Sequence, residues 1–229
     1  MYSQYKQKAW LKLTSVAILR SIVLNTRTKH TIGWTRVLEF IAEQEISSLF
    51  DEMGLVTTPG EGGEMFISMK DELTLDRHCL CNEDVGCECQ KSEQCFPLAK
   101  EQVVDSTIAA IHKIHRGQTV LMPVGKWRGV FDAVAFKMAA DETWQTFDAT
   151  ATVRLNTQDP LLFETADEHT LSKLITALMN DGDEAEQGVY MLAVGVPMIM
   201  HISPGGPVIL CFGNQALADE ISEAYSMSH

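Results

Sequence analysis

The sequence predicts an α+β protein in three parts: an N-terminal helix-and-hairpin unit, a Cys-rich metal loop with the helix after it, and a C-terminal α+β domain with antiparallel hairpins. Three observations predict it. Apolar residues recur at helical spacing over 5–25 and again over 98–114. Short apolar runs bounded by Gly, Pro and Asn recur through the C-terminal half. Between these regions, five of the six cysteines fall within His78–Cys95, written HCLCNEDVGCECQKSEQC. The parts are read as 1–76, 77–117 and 118–229. A chain of 229 residues with 45% hydrophobic content is long enough for one large or two small domains with an ordinary core.

Residues 5–25 predict a helix with Val16, Ile18, Leu19, Ile22 and Val23 on one face and Lys8 and Lys12 on the other. The apolar run 11–24 loosely imitates a signal peptide. Arg20 interrupts it and no A-x-A site follows, so it is read as a mature amphipathic helix. A second helix is expected from about Ile32 through Leu38, Ile41, Leu49 and Phe50 to Met53, with room for a break at Glu43–Glu45, closed by Gly54 in the left-handed position that helix ends often need. Leu55–Thr58 and Met65–Met69 read as two strands joined by the turn Pro59–Gly63. A helix followed by such a hairpin is a winged-helix-like arrangement, in which the helix enters a DNA groove and the hairpin touches the backbone.

Charge supports a contact surface at this end. Lys6, Lys8, Lys12, Arg20, Arg27, Lys29 and Arg36 all precede the first acidic residue and are candidate phosphate contacts. The rest of the chain carries 11 basic and 31 acidic residues, a net of −20. The distribution joins a basic surface to an acidic body; the alternative is a solvated helix that happens to be basic. The second helix itself carries Glu39, Glu43, Glu45, Asp51 and Glu52, and the hairpin carries Glu61 and Glu64. Those carboxylates point to the other use of such folds, as protein-binding modules of larger assemblies.

The cysteine stretch carries the chemistry. Thiolates are soft, strong ligands for zinc or an iron–sulfur cluster. Cys79, Cys81, Cys87 and Cys89 form two C-x-C pairs five residues apart, enough sulfurs for one centre; Cys95 and His78 are spare or substitute ligands. Disulfides compete poorly, because a C-x-C pair bridges itself badly and five is an odd count. Unliganded reduced thiols are the remaining reading. The pairing favours a closed zinc site over a cluster, while the five-residue gaps Cys81–Cys87 and Cys89–Cys95 keep a cluster open. Clustered thiols without a signal peptide fit the cytosol, and no stretch has the length of a membrane span.

Gly54-Leu55-Val56, the glycine-rich turn 60–63, the cysteines and a helix from Phe96 together resemble the iron–sulfur winged-helix repressor family over about the first 115 residues. The resemblance implies a dimeric DNA-binding protein that senses cluster status or nitric oxide. The chain departs from the family pattern in its C-x-C pairs, in a turn without a basic residue, and in a further C-terminal domain of about a hundred residues.

Phe96-Pro97 reads as the end of the loop, with Pro97 in the first turn of the next helix. Leu98, Val103, Val104, Ile108, Ile111 and Ile114 form that helix's apolar stripe, and it packs on the core or on its copy in a homodimer. His112 and His115 are expected to face solvent near its C-terminus, with completion of a metal site as the alternative. Thr119–Val124 reads as a buried strand and 125–129 as a turn with a packed Trp127, followed by a helix over 130–140. Trp144–Leu155 alternates and predicts a strand; 161–164 returns, and a helix starts at Asp167. Strands over 189–194, 198–202 and 208–212 follow, with the turn 203–206 between the last two and a helix from Asn214 to Tyr225. Cys211 and His201 are read as strand residues of the core. Counting from the turn sets His201 against Val208 or Ile209, so the two do not make a nucleophile pair.

No P-loop, dinucleotide fingerprint, H-E-x-x-H, nucleophile elbow or kinase signature is present. The first expectation is therefore a metal- or cluster-dependent DNA-binding transcriptional regulator in the cytoplasm. The alternative is a zinc-stabilised subunit or adaptor of a nucleoprotein or defence-type assembly. A thiol or metal enzyme is the third.

Overall fold

The computed structural model describes residues 38–61, 63–69, 77–83, 93–213 and 215–226. The helix expected over 5–25 and all seven basic candidates (Lys6, Lys8, Lys12, Arg20, Arg27, Lys29, Arg36) lie outside the described residues, as do Cys87, Cys89 and Asn214.

The described chain is α+β, as expected. Strand β1 (Glu39–Phe40) leads into helix α1 (Glu43–Glu52) and the hairpin β2 (Leu55–Pro59) and β3 (Met65–Met69). Then come β4 (Arg77–Asn82), β5 (Glu93–Leu98), α2 (Lys100–Ile114), β6 (Thr119–Pro123), α3 (Trp127–Met138), α4 (Glu142–Ala151) and β7 (Leu161–Phe163). The chain ends with α5 (Glu168–Asp181), β8 (Val189–Ala193), β9 (Met198–Ile202), β10 (Val208–Phe212) and α6 (Gln215–Ser226). Eight strands form one mixed sheet in the order β1-β7-β6-β8-β9-β10-β4-β5, and β2-β3 stand apart as a pair. All pairs in the large sheet are antiparallel except β4 with β5. No described helix is long and apolar enough to cross a membrane.

Both faces of the sheet are covered, which is why β6 and β8 are buried at every residue instead of alternating with solvent. Leu121, Met191, Met200, Leu210 and Leu80 point into the larger core, with Val104 and Ile111 of α2, Val130 and Val134 of α3, Phe147 of α4, Leu174 of α5 and Ile221 of α6. Val120, Met122, Tyr190, Leu192 and Ile199 point the other way, onto Leu49 and Phe50 of α1 and Leu55 and Ile67 of the hairpin. The helix-then-hairpin order is thus present, and its apolar side is spent on the sheet. The boundary expected at 117–118 falls between α2 and β6, and the sheet runs across it, since β4 and β5 join β10.

Several elements differ from expectation. The alternating stretch Trp144–Leu155 is helical over most of its length. Asp141 caps α4 by accepting from the Trp144 amide at 3.0 Å, and Trp144, Phe147 and Ala151 bury one helical face. The same residues satisfy both periods, and packing chose 3.6. Of the second helix, the part expected over 32–37 lies outside the described residues; over 39–41 the chain is not helical, because Glu39–Phe40 pair with β7 and Ile41 donates its amide to Pro160 O at 2.8 Å, and the helix runs from Glu43. Pro97 lies in β5, not in a helix; β5 is the sheet's edge, where a missing N–H is tolerated. His115 is buried, with Nε2 3.1 Å from Glu164 O and Nδ1 on Thr119 Oγ1, while His112 is the exposed partner of Glu168.

Gly54 adopts φ +67° just past α1, as its position predicted. Gly125 is required for a different reason. A Cβ there falls 2.7 Å from Glu186 O, the carbonyl that its own amide donates to at 3.0 Å. Gly125→Ala is expected to cost about 1–3 kcal/mol in urea unfolding, since a backbone atom cannot step aside as a side chain does.

Candidate metal centre

The cysteines described do not sit in a loop. Cys79 and Cys81 are on β4 and Cys95 is on β5, and the parallel register sets Cys79 opposite Cys95 and Cys81 opposite Pro97. Alternation along a strand puts Cys79 and Cys81 on one face, with Cys95 beside them, and Leu80 on the other. Leu80 belongs to the larger core, so the thiols stand on the face that carries α1 and the hairpin further along the sheet. Cys79 and Cys81 are 1% and 2% exposed, while Cys95 is exposed.

The three sulfurs touch through the middle one. Cys81 Sγ lies 3.0 Å from Cys79 Sγ and 3.0 Å from Cys95 Sγ. Cys81 Sγ also donates a long bond to Cys79 O at 3.7 Å. Burial first, then the contacts with Cys95 and Cys79, pushes the Cys81 thiol well above its ordinary range. Without a cation beside it, Cys81 therefore stays protonated.

This geometry separates the ways three thiols can be used. Cys79 and Cys95 are direct partners one strand spacing of about 4.8 Å apart, within the reach of a disulfide, whereas two positions along a strand put the Cys81 and Cys95 Cα atoms about 8 Å apart, past it. A tetrahedral zinc with Zn–S of about 2.3 Å needs sulfurs about 3.8 Å apart, so small rotations of the three side chains open the required space. A four-iron cluster gives each cysteine a separate iron and demands a wider spread. As they stand, no three or more His, Cys, Asp or Glu among the described residues are arranged to hold a metal ion. The three sulfurs are in contact, not spaced round a centre.

His78 is not brought to the thiols. It is next to Cys79 in the strand and so faces the larger core, buried edge-on against Phe96 and Phe212 at 5.4 and 5.0 Å, with Ser222 Oγ 3.4 Å from Nδ1. Cys211 does share the thiol face. It pairs with Arg77, however, two positions before Cys79 and four before Cys81, and two strands from Cys95. Cys211 is thus as near to Cys79 as Cys95 is to Cys81, and its distance from Cys81 and Cys95 together exceeds the span of one mononuclear site.

His201 stands on the same face, opposite Ile209 as the turn count predicted. Its ring stacks on Tyr190 at 4.6 Å, and its Nε2 is buried with no hydrogen-bond partner among the described residues. Burial lowers its pKa from 6.5 to about 4. The folded value lies below the unfolded one, so the imidazole is neutral when folded. Its contribution is whole above about pH 6.5 and is lost as pH falls towards 4, up to about 3 kcal/mol. Urea melts across this window are expected to show that loss in the parent and not in His201→Phe. Sequence reasoning missed this residue's orphaned nitrogen, because nothing local to 198–202 reports what covers a strand.

No family model matches the chain, and no curated protein or solved structure does either.

Proposed function

We propose that the protein is a zinc-stabilised binding subunit, an adaptor whose metal is structural. The observation that carries this reading is the trio Cys79, Cys81 and Cys95 on one face of β4 and the edge strand β5, with sulfurs 3.0 Å apart through Cys81. Cys79, Cys81 and Cys95 supply three ligands, and Cys87 or Cys89, from the segment between the two strands, supplies the fourth. Near-complete burial of Cys79 and Cys81 favours a closed structural site over one that keeps a position for substrate. Such a metal would lock β5 to β4 at the end of the sheet, where a parallel edge pair has a neighbour on one side only. Four thiolates must deprotonate, so zinc uptake releases protons and weakens as pH falls.

The binding role rests on surface chemistry. Ser47, Ser48, Asp51 and Glu52 of α1 and Glu61 of the hairpin turn are exposed. That outer surface is acidic and repels phosphate, which favours a basic protein partner there. The second reading, a metal- or cluster-dependent DNA-binding regulator, is favoured by the seven basic residues of 1–36 and the absence of acidic ones among them.

Metal analysis and visible absorption of protein purified without oxygen test the metal. The expected result is one zinc per chain and no colour. Iron, sulfide and a brown chromophore move the conclusion to the cluster regulator, and neither metal removes it. A salt-dependent shift of duplex DNA by the full chain separates the two binding roles, and none is expected for the adaptor.

A further inference from the structure

Away from the thiol face, α3 and α5 pack side by side and leave a groove of about 360 Å³ between them, inside the size range of small-molecule sites. The two helices are antiparallel. Asp141, just past the end of α3, meets Thr170 and Lys173 near the start of α5, and Gly129 near the start of α3 stands beside Gln187, beyond the end of α5. His169, Lys173, Thr176 and Asn180 recur every three or four residues along α5 and so share the face that forms one wall, with Ser172 beside them. Lys137 comes to the groove from the last turn of α3.

The polar groups are graded along this groove. Lys137 is exposed, and Lys173 reaches Asp141 Oδ2 only at 3.7 Å. An ammonium has three N–H donors, so that one contact leaves Lys173 two to offer. Asp141 is itself engaged elsewhere, accepting from the Trp144 amide and the Thr170 hydroxyl. His169 adds a ring N–H. Ser172 Oγ is enclosed with no hydrogen-bond partner among the described residues. Such a hydroxyl is costly to leave unpaired, and a ligand oxygen in the groove would pair it. The one carboxylate of the described lining, Asp181, stands eight residues and about 12 Å along the helix from Lys173, next to Asn180. The chain's formal charge of −13 opposes anions at long range, but salt screens that field within about 10 Å and leaves the contact groups to decide. Two ammonium groups, an imidazole and a hydroxyl are more donors than the two oxygens of a carboxylate use, and they suit the three terminal oxygens of a phosphate. Thr176, Asn180 and Asp181 beyond them are partners for hydroxyl groups. We propose that this groove binds the phosphate monoester of a small polyol, with the phosphate between Lys137 and Lys173 and the hydroxyls toward Asn180 and Asp181. The proposal does not depend on the metal reading, because every group it uses lies on α3 or α5.

The test is calorimetric titration of the full-length protein with glucose 6-phosphate, inorganic phosphate and glucose. Glucose 6-phosphate is expected to saturate a single site and to bind about tenfold or more tighter than inorganic phosphate, with no saturable binding of glucose. Lys137→Ala, at an exposed position that makes no ion pair among the described residues, is expected to weaken glucose 6-phosphate about tenfold with the circular dichroism spectrum intact. Ser172→Ala is expected to weaken it about threefold or more while leaving the ligand-free melting temperature unchanged or raised, because an unpaired hydroxyl is removed. No saturable binding of glucose 6-phosphate, equal affinities for it and inorganic phosphate, or the parent's affinity in either variant would each overturn the proposal. Binding only to vesicles of phosphatidylcholine and phosphatidylglycerol, or only to a phosphoserine peptide, would overturn it as well, in favour of a membrane surface or a protein partner.

Discussion

Cys81→Ser is expected to purify without zinc and to lose about 3 kcal/mol or more of stability. Cys81 is the sulfur in contact with both of the others, so its removal takes a central ligand. Binding free energy at structural zinc sites is folding free energy, of order 10 kcal/mol in small domains that have no other core. Here two apolar cores hold the sheet without the metal, so the fraction lost is smaller and falls on β4 and β5. Serine also leaves a hydroxyl at a position 2% exposed, where an unpaired polar group is costly. Cys211→Ser is the matched control, half-buried on the same face but out of reach of the site, and should shift stability by about 1 kcal/mol or less. Zinc analysis and guanidinium melts of both variants decide the matter. A Cys81→Ser protein with a full complement of metal and the parent's midpoint would sink the metal-centre reading.

Trp127→Ala should be the most damaging change outside the cysteines, at about 4–5 kcal/mol. The indole is fully buried at the start of α3. It meets Phe40 edge-on at 6.1 Å and Phe131 edge-on at 6.3 Å, and its Nε1 donates to Asp159 O at 2.7 Å. One side chain thus ties together α3, the short edge strand β1 and the turn before β7. Truncation leaves a large cavity and an unpaired carbonyl, and for a chain of this length should lower the melting temperature by about 10–15 °C. Trp127→Phe keeps most of the ring packing and gives up the hydrogen bond, so about 1–2 kcal/mol is expected. Thermal and urea unfolding of the pair separates the two contributions, and similar losses in both would show that the hydrogen bond outweighs the packing.

Where a pattern was local, it was legible. The hairpin strands over 55–58 and 65–69, the helix end at Gly54 and the three strands after Gly188 appear where alternation, glycine and turn residues placed them. The facing of His201 and Ile209 followed from counting in from the 203–206 turn, because an antiparallel hairpin has one register once its turn is set. The stretch 144–155 was misread because Trp144, Phe147 and Ala151 fit a helical face while the residues between them also alternate. Only the core beneath, with Phe131 at 4.5 Å from Trp144, tells the periods apart. The strands at the cysteines were hidden by the cysteines themselves, since thiols read as ligands conceal that Cys79-Leu80-Cys81 is also a run of small apolar strand formers.

By itself the sequence determined the α+β class, the concentration of thiols in one stretch, the basic-to-acidic asymmetry and the order of most elements. Each of these depends on residue type and on spacing between near neighbours. Tertiary structure alone decided which cysteines meet. Cys95 comes to Cys79 and Cys81 because β5 pairs in parallel with β4. His78 turns away because neighbours on a strand face opposite sides, and Cys211 shares the face yet stands too far along it. Strand partners and faces are set by long-range burial on both sides of the sheet, and that free energy is not written in any window of adjacent residues.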